Sequence, residues 1–191
     1  MTCQIFEVFE HQKEDLLLHW FQGQDSPAPM TILVRARESA HEITTALKQS
    51  GVDVLSLHGN QKPQLRDSTW QAFQNGEAPV LVGTHALLRI LDQAHCATTV
   101  NFDLPEQKPD FEAQLQRQTK LVTFLSEAQK NSLAKWDIDF PEPAEFLTIE
   151  DFSYDRVAPK KNAKRTKTPK KGPRSKPLQN KKPKLNPKWG R

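Results

Sequence analysis

Several residue types that define common protein classes are scarce in this chain of 191 residues. It has only two cysteines, Cys3 and Cys96, which excludes a disulfide framework, and no paired Cys/His spacing that would bind zinc. No stretch approaches the roughly 18 apolar residues needed to cross a bilayer, and the N-terminus lacks the pattern of a signal peptide. These absences predict a soluble, cytoplasmic protein of a reducing compartment with no membrane partner.

Acidic residues are absent from the last 34 residues. Residues 158–191 carry 14 Lys or Arg and six Pro without one Asp or Glu, whereas residues 1–157 carry 13 basic and 23 acidic residues, a net charge of −10. A segment with so few large apolar side chains cannot offset the entropy lost on ordering it. The sequence therefore predicts an acidic folded body followed by a disordered basic tail.

A Lys-rich tail of this kind predicts nucleic-acid binding. Each cation that neutralises a phosphate releases counterions, so the affinity tolerates many sequences and depends steeply on salt, and the Trp189 indole adds a surface for base stacking. We expect phosphate contacts from eight basic residues of the tail: Lys160, Lys161, Lys164, Arg165, Lys170, Lys171, Lys181 and Lys182. The alternatives are a solubilising tail and one that folds back on the acidic body. The basic runs also leave a nuclear location open.

The body alternates strand and helix patterns. Short apolar segments predict strands near residues 4–9, 32–34, 52–57, 80–82, 99–102 and 121–124, and helical spacing predicts helices over 11–22, 38–50, 64–74 and 126–136. Gly51 is expected to cap the second helix, and Leu65, Trp70 and Phe73 are expected to face inward from the third. Strands separated by helices predict an α/β fold with a parallel sheet covered on both faces.

Residues 138–157 alternate acids, prolines and aromatic residues without a clear period. We expect them to pack on the body as an extended segment through Phe140, Phe146, Phe152 and Tyr154. The chain is thus divided into a domain of residues 1–137, an acidic and aromatic extension of residues 138–157, and the tail of residues 158–191.

Three short motifs follow one another between Leu55 and Pro105. The run His58–Asn60 is followed by Val80–Thr84 (VLVGT) and Asn101–Pro105 (NFDLP). This arrangement resembles the second RecA-like domain, the helicase C-terminal domain, of DEAD-box RNA helicases, with HGN in place of HGD and VLVGT in place of VLVAT. The resemblance covers about residues 3–136 and implies a RecA-like parallel sheet.

The resemblance also implies an RNA-binding site. Arg35 follows the strand that matches the family's VFVRT-like segment, and Gly59 belongs to the HGD-like motif. Arg66 matches the Arg of the family's QxxR motif, although Pro63 replaces the Gln, and Thr84 matches the residue that hydrogen-bonds an RNA phosphate. A hydroxyl at the carboxyl end of a parallel strand is where such sheets bind ligands. RNA is the expected partner of these residues.

The positions that would contact a nucleotide are altered. His85 replaces an Asp, Ile90 replaces a Gly, and residues 113–120 lack the His, the first Arg and both glycines of the family's HRIGRTGR motif. What the resemblance leaves is a vestigial nucleotide site: Asp92 at the ribose-contacting position, and Arg117 and Lys120 at those of the γ-phosphate arginines. Lysine keeps the charge at that position but lacks the planar fork of arginine.

Phosphoryl transfer needs a phosphate-binding loop, a lysine and magnesium ligands. The chain has no GxxxxGK pattern and no DEAD-like acidic motif. We therefore expect no ATPase activity and no cofactor for the chain alone, with ATP bound only where a partner completes the site in trans. The sequence favours a non-catalytic RNA-binding protein. The alternatives are a docking module for a helicase or ribonucleoprotein, and one half of a split ATPase.

Overall fold

The computed structural model describes residues 2–24, 29–88, 96–117, 120–138, 140 and 144–154. The chain divides into two units, Met1–Ala158 and Pro159–Arg191, and the fold described here belongs to the first. Ile90 and Asp92 lie outside the described residues. So do the predicted phosphate and stacking contacts of the tail, which are Lys160, Lys161, Lys164, Arg165, Lys170, Lys171, Lys181, Lys182 and Trp189.

Seven strands form one sheet in which every pairing is parallel. Along the chain they are β1 (Thr2–Glu7), β2 (Met30–Val34), β3 (Val54–Leu57), β4 (Val80–Thr84), β5 (Thr98–Asn101), β6 (Lys120–Leu125) and β7 (Ala144–Leu147). Their order across the sheet is β3-β4-β2-β5-β6-β1-β7. All the carboxyl ends therefore lie at one edge of the sheet, here called the C-terminal edge, and all the starts lie at the opposite N-terminal edge.

Helices cover both faces of the sheet, which confirms the predicted α/β architecture. They are α1 (Lys13–Gln22, preceded by a 3-10 turn at Glu10–Gln12), α2 (Arg37–Gln49), α3 (Pro63–Gln74), α4 (His85–Leu88), α5 (Lys108–Leu115) and α6 (Glu127–Ala134). Because successive strand residues point to opposite faces, Ile32 and Val34 pack with α1 and α2, whereas Leu33 packs with α3. Helices α5 and α6 cover the rest of that second face.

The predicted glycine stop of α2 is confirmed. Gly51 has a φ of +83°, in the left-handed region that favours glycine. Its N–H donates to the Lys48 carbonyl and the Val52 N–H donates to the Leu47 carbonyl, both at 3.0 Å. This is the paired hydrogen-bond pattern that satisfies the last carbonyls of a helix and turns the chain toward the next strand, β3.

Leu65 and Phe146 are exposed to solvent, although the sequence predicted that both side chains pack against the body. Leu65 is 51% exposed, because it lies in the first turn of α3, about 80° around the helix axis from the buried Phe73. Phe146 is 61% exposed, because β7 is the outermost strand and the side chain points to the face opposite that of its neighbour Leu147. Phe140, Phe152 and Tyr154 are partly buried against the core, as predicted.

Within the described ranges, no helix combines the length and the apolar character required to cross a membrane.

Candidate nucleic-acid interface

Three neighbouring strands bring the predicted RNA contacts together at the C-terminal edge. Thr84, the last residue of β4, pairs with Val34 of β2, and Gly83 pairs with Leu57 of β3. Arg35 and the His58-Gly59 turn therefore follow directly on either side of Thr84, on strands about 5 Å apart. Arg35 and Gly59 are exposed, and Thr84 is partly exposed. The register thus creates a polar row open to solvent.

Two helices, α2 and α3, begin at this edge. The N-cap residues, Ala36 for α2 and Lys62 for α3, make no side-chain capping hydrogen bond. Pro63 occupies the first turn of α3, where a missing N–H costs nothing. The first turn of α3 has no acidic residue, so its remaining N–H groups and the positive end of its helix dipole favour an anion. The first turn of α2 already holds the Glu38 carboxylate, which contacts its own backbone N–H and pairs with Arg37.

Arg66 extends this positive region along α3. Its backbone N–H donates to the Lys62 carbonyl at 3.0 Å, and its side chain is partly exposed. Among the residues that the structure describes, neither the Arg66 nor the Arg35 guanidinium takes part in an ion pair. Both charges are available to a ligand phosphate.

Gly59 has no structural requirement for glycine. A Cβ built at this position meets nothing within 4 Å, and its φ lies outside the left-handed region. The turn is held instead by Gln61, which accepts the His58 N–H at 3.1 Å and donates to the Ser56 carbonyl at 2.9 Å. The open space at Gly59 fits close approach by another backbone. Gln61 was not predicted, because it is one of several glutamines near the motif and no pattern distinguishes it from the others.

A buried network beneath the row was not predicted. Asp103 is 7% exposed, and its Oδ2 accepts the Arg35 N–H at 3.0 Å. Its Oδ1 accepts from Lys13 Nζ at 3.2 Å and from Gln129 Nε2 at 3.5 Å. The Asp103 N–H donates to the Leu33 carbonyl at 3.2 Å. One carboxylate thus connects the end of β2 to two helices.

Lys13 is the buried cation of this network, with 1% exposure. Its ammonium group also donates to Gln129 Oε1 at 2.7 Å, pairs with Glu10 at 3.3 Å, and lies 5.6 Å from the centre of the Phe102 ring. A sequence signal existed, because Lys13 precedes the buried Leu16 and Leu17 by three and four residues. A lysine at a helix start is ordinarily solvated, so Lys13 was not among the predicted site residues.

His85 belongs to the same network. Its Nε2 lies 2.7 Å from the Asp103 carbonyl oxygen, and because a carbonyl only accepts, Nε2 carries the proton. Burial lowers the pKa of His85 below its ordinary value, and Arg35 adds to this, while the Asp103 carbonyl and the carboxylates of Asp103 and Asp110 oppose it. A neutral imidazole thus lies beside Thr84.

Two of the predicted vestigial nucleotide positions, Arg117 and Lys120, lie elsewhere. Lys120 is the first residue of β6 and so lies at the N-terminal edge, where its ammonium group is 5.5 Å from the centre of the Trp20 ring. Arg117 follows the end of α5 and is partly exposed. The structure does not bring Lys120 to the edge that holds Thr84. Within the described part of the chain, no cluster of three or more His, Cys, Asp or Glu side chains is arranged to hold a metal ion.

The family model for the helicase conserved C-terminal domain matches residues 12–121. The chain belongs to this family, as a RecA-like domain of the DEAD-box type. The ATP-dependent RNA helicase DBP2 of Pyricularia oryzae is 32% identical over 113 residues, which cover 56% of this chain and 21% of the relative. The ATP-dependent RNA helicase dbp-5 of Neurospora crassa is 34% identical over 113 residues, 56% of this chain and 23% of the relative.

Solved structures share the fold. The C-terminal domain of the DEAD-box protein Dbp5 superimposes with a TM-score of 0.63 at 23% identity, over 73% of this chain and 88% of that one. The E. coli DEAD-box protein SrmB, in a complex with regulator of ribonuclease activity A (RraA), gives a TM-score of 0.71 at 20% identity, over 83% and 97%. The chain spans about a fifth of the length of the curated helicases that it matches.

Proposed function

We propose that this chain is a non-catalytic RNA-binding protein, in which the C-terminal edge orients an RNA backbone and the basic tail supplies most of the attraction. The observation that carries the proposal is the assembly of Arg35, Gly59, Arg66 and Thr84 at one edge of the sheet. These are the residues that the family resemblance selects, and a parallel sheet binds ligands at this edge for independent reasons.

The chemistry of the edge suits a phosphate backbone. Two guanidinium groups without ion pairs among the described residues supply charge, and the Thr84 hydroxyl and the first N–H groups of α3 supply neutral donors. Such contacts fix the register and orientation of a nucleic acid but do not read its bases. We therefore propose binding to single-stranded RNA with little sequence preference.

Charge explains why the tail is needed. The body has a net charge of −10 and repels phosphate at long range, whereas the tail has a net charge of +14. Short-range contacts at the edge act only after RNA has been brought close. The tail therefore sets the salt dependence and most of the affinity, and the edge adds a smaller, geometrically specific part.

The absence of a phosphate-binding loop and of a DEAD-like motif from these 191 residues supports the non-catalytic part. We propose that the purified chain has ATPase activity no higher than background, with or without RNA. Activity that copurifies with the chain and disappears on substitution of Arg117 would contradict this proposal. It would favour an ATP site completed in trans by a partner domain.

The test is fluorescence anisotropy with labelled oligouridine across a range of salt concentrations. We expect the full chain to bind with a steep salt slope and a chain truncated to residues 1–157 to lose at least about a hundredfold in affinity. Arg66→Gln should weaken binding by the full chain about fivefold, because an ion contact at a solvent-exposed site contributes at most about 1 kcal/mol.

Lys48→Gln is the matched control for Arg66→Gln. Lys48 is exposed in the last turn of α2, near the opposite edge, and the substitution removes the same charge. Equal effects of Arg66→Gln and Lys48→Gln would show that Arg66 acts only through the net charge of the protein and not through a specific contact with RNA. Unchanged binding after truncation would contradict the role of the tail.

One observation favours protein docking as a second function. Phe146 is 61% exposed on the outermost strand, beside a groove of about 320 Å³ lined by Leu133, Ile138 and Phe140. Among the similar structures, SrmB is bound to RraA and the Dbp5 C-terminal domain is bound to Gle1. On this alternative, a helicase or ribonucleoprotein partner should copurify after nuclease treatment and be lost with Phe146→Ser. A partner lost on nuclease treatment alone is bridged by RNA.

A further inference from the structure

The Asp103 network connects the interior of the domain to the proposed RNA contacts through one hydrogen bond at Arg35 and one at His85. The carboxylate accepts the Arg35 N–H at 3.0 Å, at the point where β2 ends. The carbonyl of the same residue accepts from His85 at 2.7 Å, directly after Thr84. Asp103 therefore touches both strand ends that carry the proposed phosphate contacts.

The other side of the network is anchored in the core. Lys13 Nζ donates to Asp103 Oδ1 at 3.2 Å and to Gln129 Oε1 at 2.7 Å. Gln129 in turn accepts the Ser126 N–H at 3.4 Å, at the start of α6. The orientation of the Asp103 carboxylate is thus set by α1 and α6, which themselves lie away from the RNA-contacting row.

Stability alone is a weak explanation for such a pair. Removing two charges from water costs several kcal/mol per ion before their attraction is counted, and apolar replacements of buried pairs are often neutral or stabilising. What an apolar pair cannot provide is an acceptor for the Arg35 N–H and a fixed carbonyl for His85. The value of the network lies in where it holds these groups.

We propose that Asp103 is a positioning residue for RNA binding, held in place by Lys13 as its buried counter-ion. It fixes the backbone at Arg35 and the start of α4 beside Thr84, so that both residues meet the phosphate backbone without reorganisation. Preorganisation of this kind raises affinity by lowering the entropy lost on binding. The inference rests on the proposed RNA-binding function of this edge.

Two double variants of the full chain separate positioning from stability. Both contain Lys13→Met, which removes the buried cation and keeps an apolar stem of similar length. Asp103→Asn then leaves an oxygen that accepts the Arg35 N–H, whereas Asp103→Ala leaves none. The two proteins have the same charge and differ in this acceptor, so charge cannot account for a difference in their affinities.

We expect Lys13→Met/Asp103→Ala to bind oligouridine about five- to tenfold more weakly than Lys13→Met/Asp103→Asn, the loss associated with one hydrogen bond and its orientation. The amide proton of Arg35 should exchange faster with solvent in the Ala variant. Adding Thr84→Val to the Ala variant should cost less affinity than adding it to the parent, because groups that act through one arrangement are not additive.

Leu115→Ala controls for stability, because it opens the core at the end of α5 and removes none of the hydrogen bonds of the Asp103 network. All affinities are measured where denaturation curves show each variant folded. Equal affinities of the two double variants, or a loss matched by Leu115→Ala, would overturn the positioning role and leave the proposed function standing. No effect of Thr84→Val in the parent chain would overturn both.

Discussion

The two edges of the sheet differ in what covers them. At the N-terminal edge the strands begin with Met30, Val54 and Val80, all at most 5% exposed, and the ammonium group of Lys120 lies over the Trp20 ring. At the C-terminal edge the residues that follow β2, β3 and β4, which are Arg35, His58 and His85, are polar and exposed or partly exposed. Along these three strands, packing covers the starts and leaves polar groups exposed at the ends, which is the usual polarity of an open parallel sheet.

The two edges also differ in how their charges are satisfied. Lys120 at the N-terminal edge contacts an aromatic face and stays partly exposed. Lys13, beneath the C-terminal edge, is buried and depends on Asp103, Gln129 and Glu10 for every polar contact described. We expect substitution of Lys120 to change the stability of the domain little, and substitution of Lys13 to lower it strongly.

Lys13→Ala should lower the free energy of unfolding by about 3–5 kcal/mol, because it leaves the buried Asp103 carboxylate without its counter-ion. Denaturation with urea, followed by circular dichroism, measures the change. Lys130→Ala is the control, since Lys130 pairs with Glu7 but is 53% exposed, and it should cost about 0–1 kcal/mol. Equal costs for the two lysines would contradict the contrast.

A pair of glycines should separate stability from binding. Gly51→Ala should cost about 1 kcal/mol because its φ is positive, and it should leave RNA affinity unchanged. Gly59→Ala should leave stability unchanged, because its Cβ meets nothing within 4 Å, and it should weaken RNA binding. Thermal melts and anisotropy titrations on both variants provide the comparison. If Gly51→Ala weakened RNA binding and Gly59→Ala did not, RNA would bind near Gly51 and not at the C-terminal edge.

The sequence predicted most of the sheet, because hydrophobic periodicity reports burial directly. It did not predict β7 or α5. Ala144–Leu147 is too short to show a period, and Pro109 lies inside the first turn of α5, where sequence alone cannot distinguish a helix start from a loop. The residues of the edge came from family motifs, but Lys13 and Asp103 form their contact across 90 positions. No local pattern encodes such a pairing.

Lys120→Gln should have a small effect, confined to stability. It removes the contact with Trp20, worth about 0.5–1 kcal/mol at an exposed site. It should change RNA affinity no more than Lys48→Gln does. If Lys120→Gln weakened oligouridine binding as much as Arg66→Gln, the N-terminal edge would also contact RNA, and the contrast between the edges would fail.

The smallest effect concerns pH. The pKa of His85 is lowered in the folded chain, chiefly by burial, so the unfolded chain binds a proton more readily. The contribution of His85 to stability is therefore complete above its unfolded pKa, near 6.5, and is lost as the pH falls through the lower folded pKa. Urea midpoints at several pH values should fall less steeply for His85→Gln than for the parent. An identical pH profile would contradict the assignment.

The most direct test of RNA binding at the C-terminal edge is an NMR titration of the isotope-labelled full chain with single-stranded oligouridine. The account predicts that amide shifts in the body concentrate at Arg35, Gly59, Arg66 and Thr84, while Met30, Val80 and Lys120 at the opposite edge stay unchanged. Shifts centred on the strand starts, or an absence of shifts throughout the body while RNA binds, would contradict it.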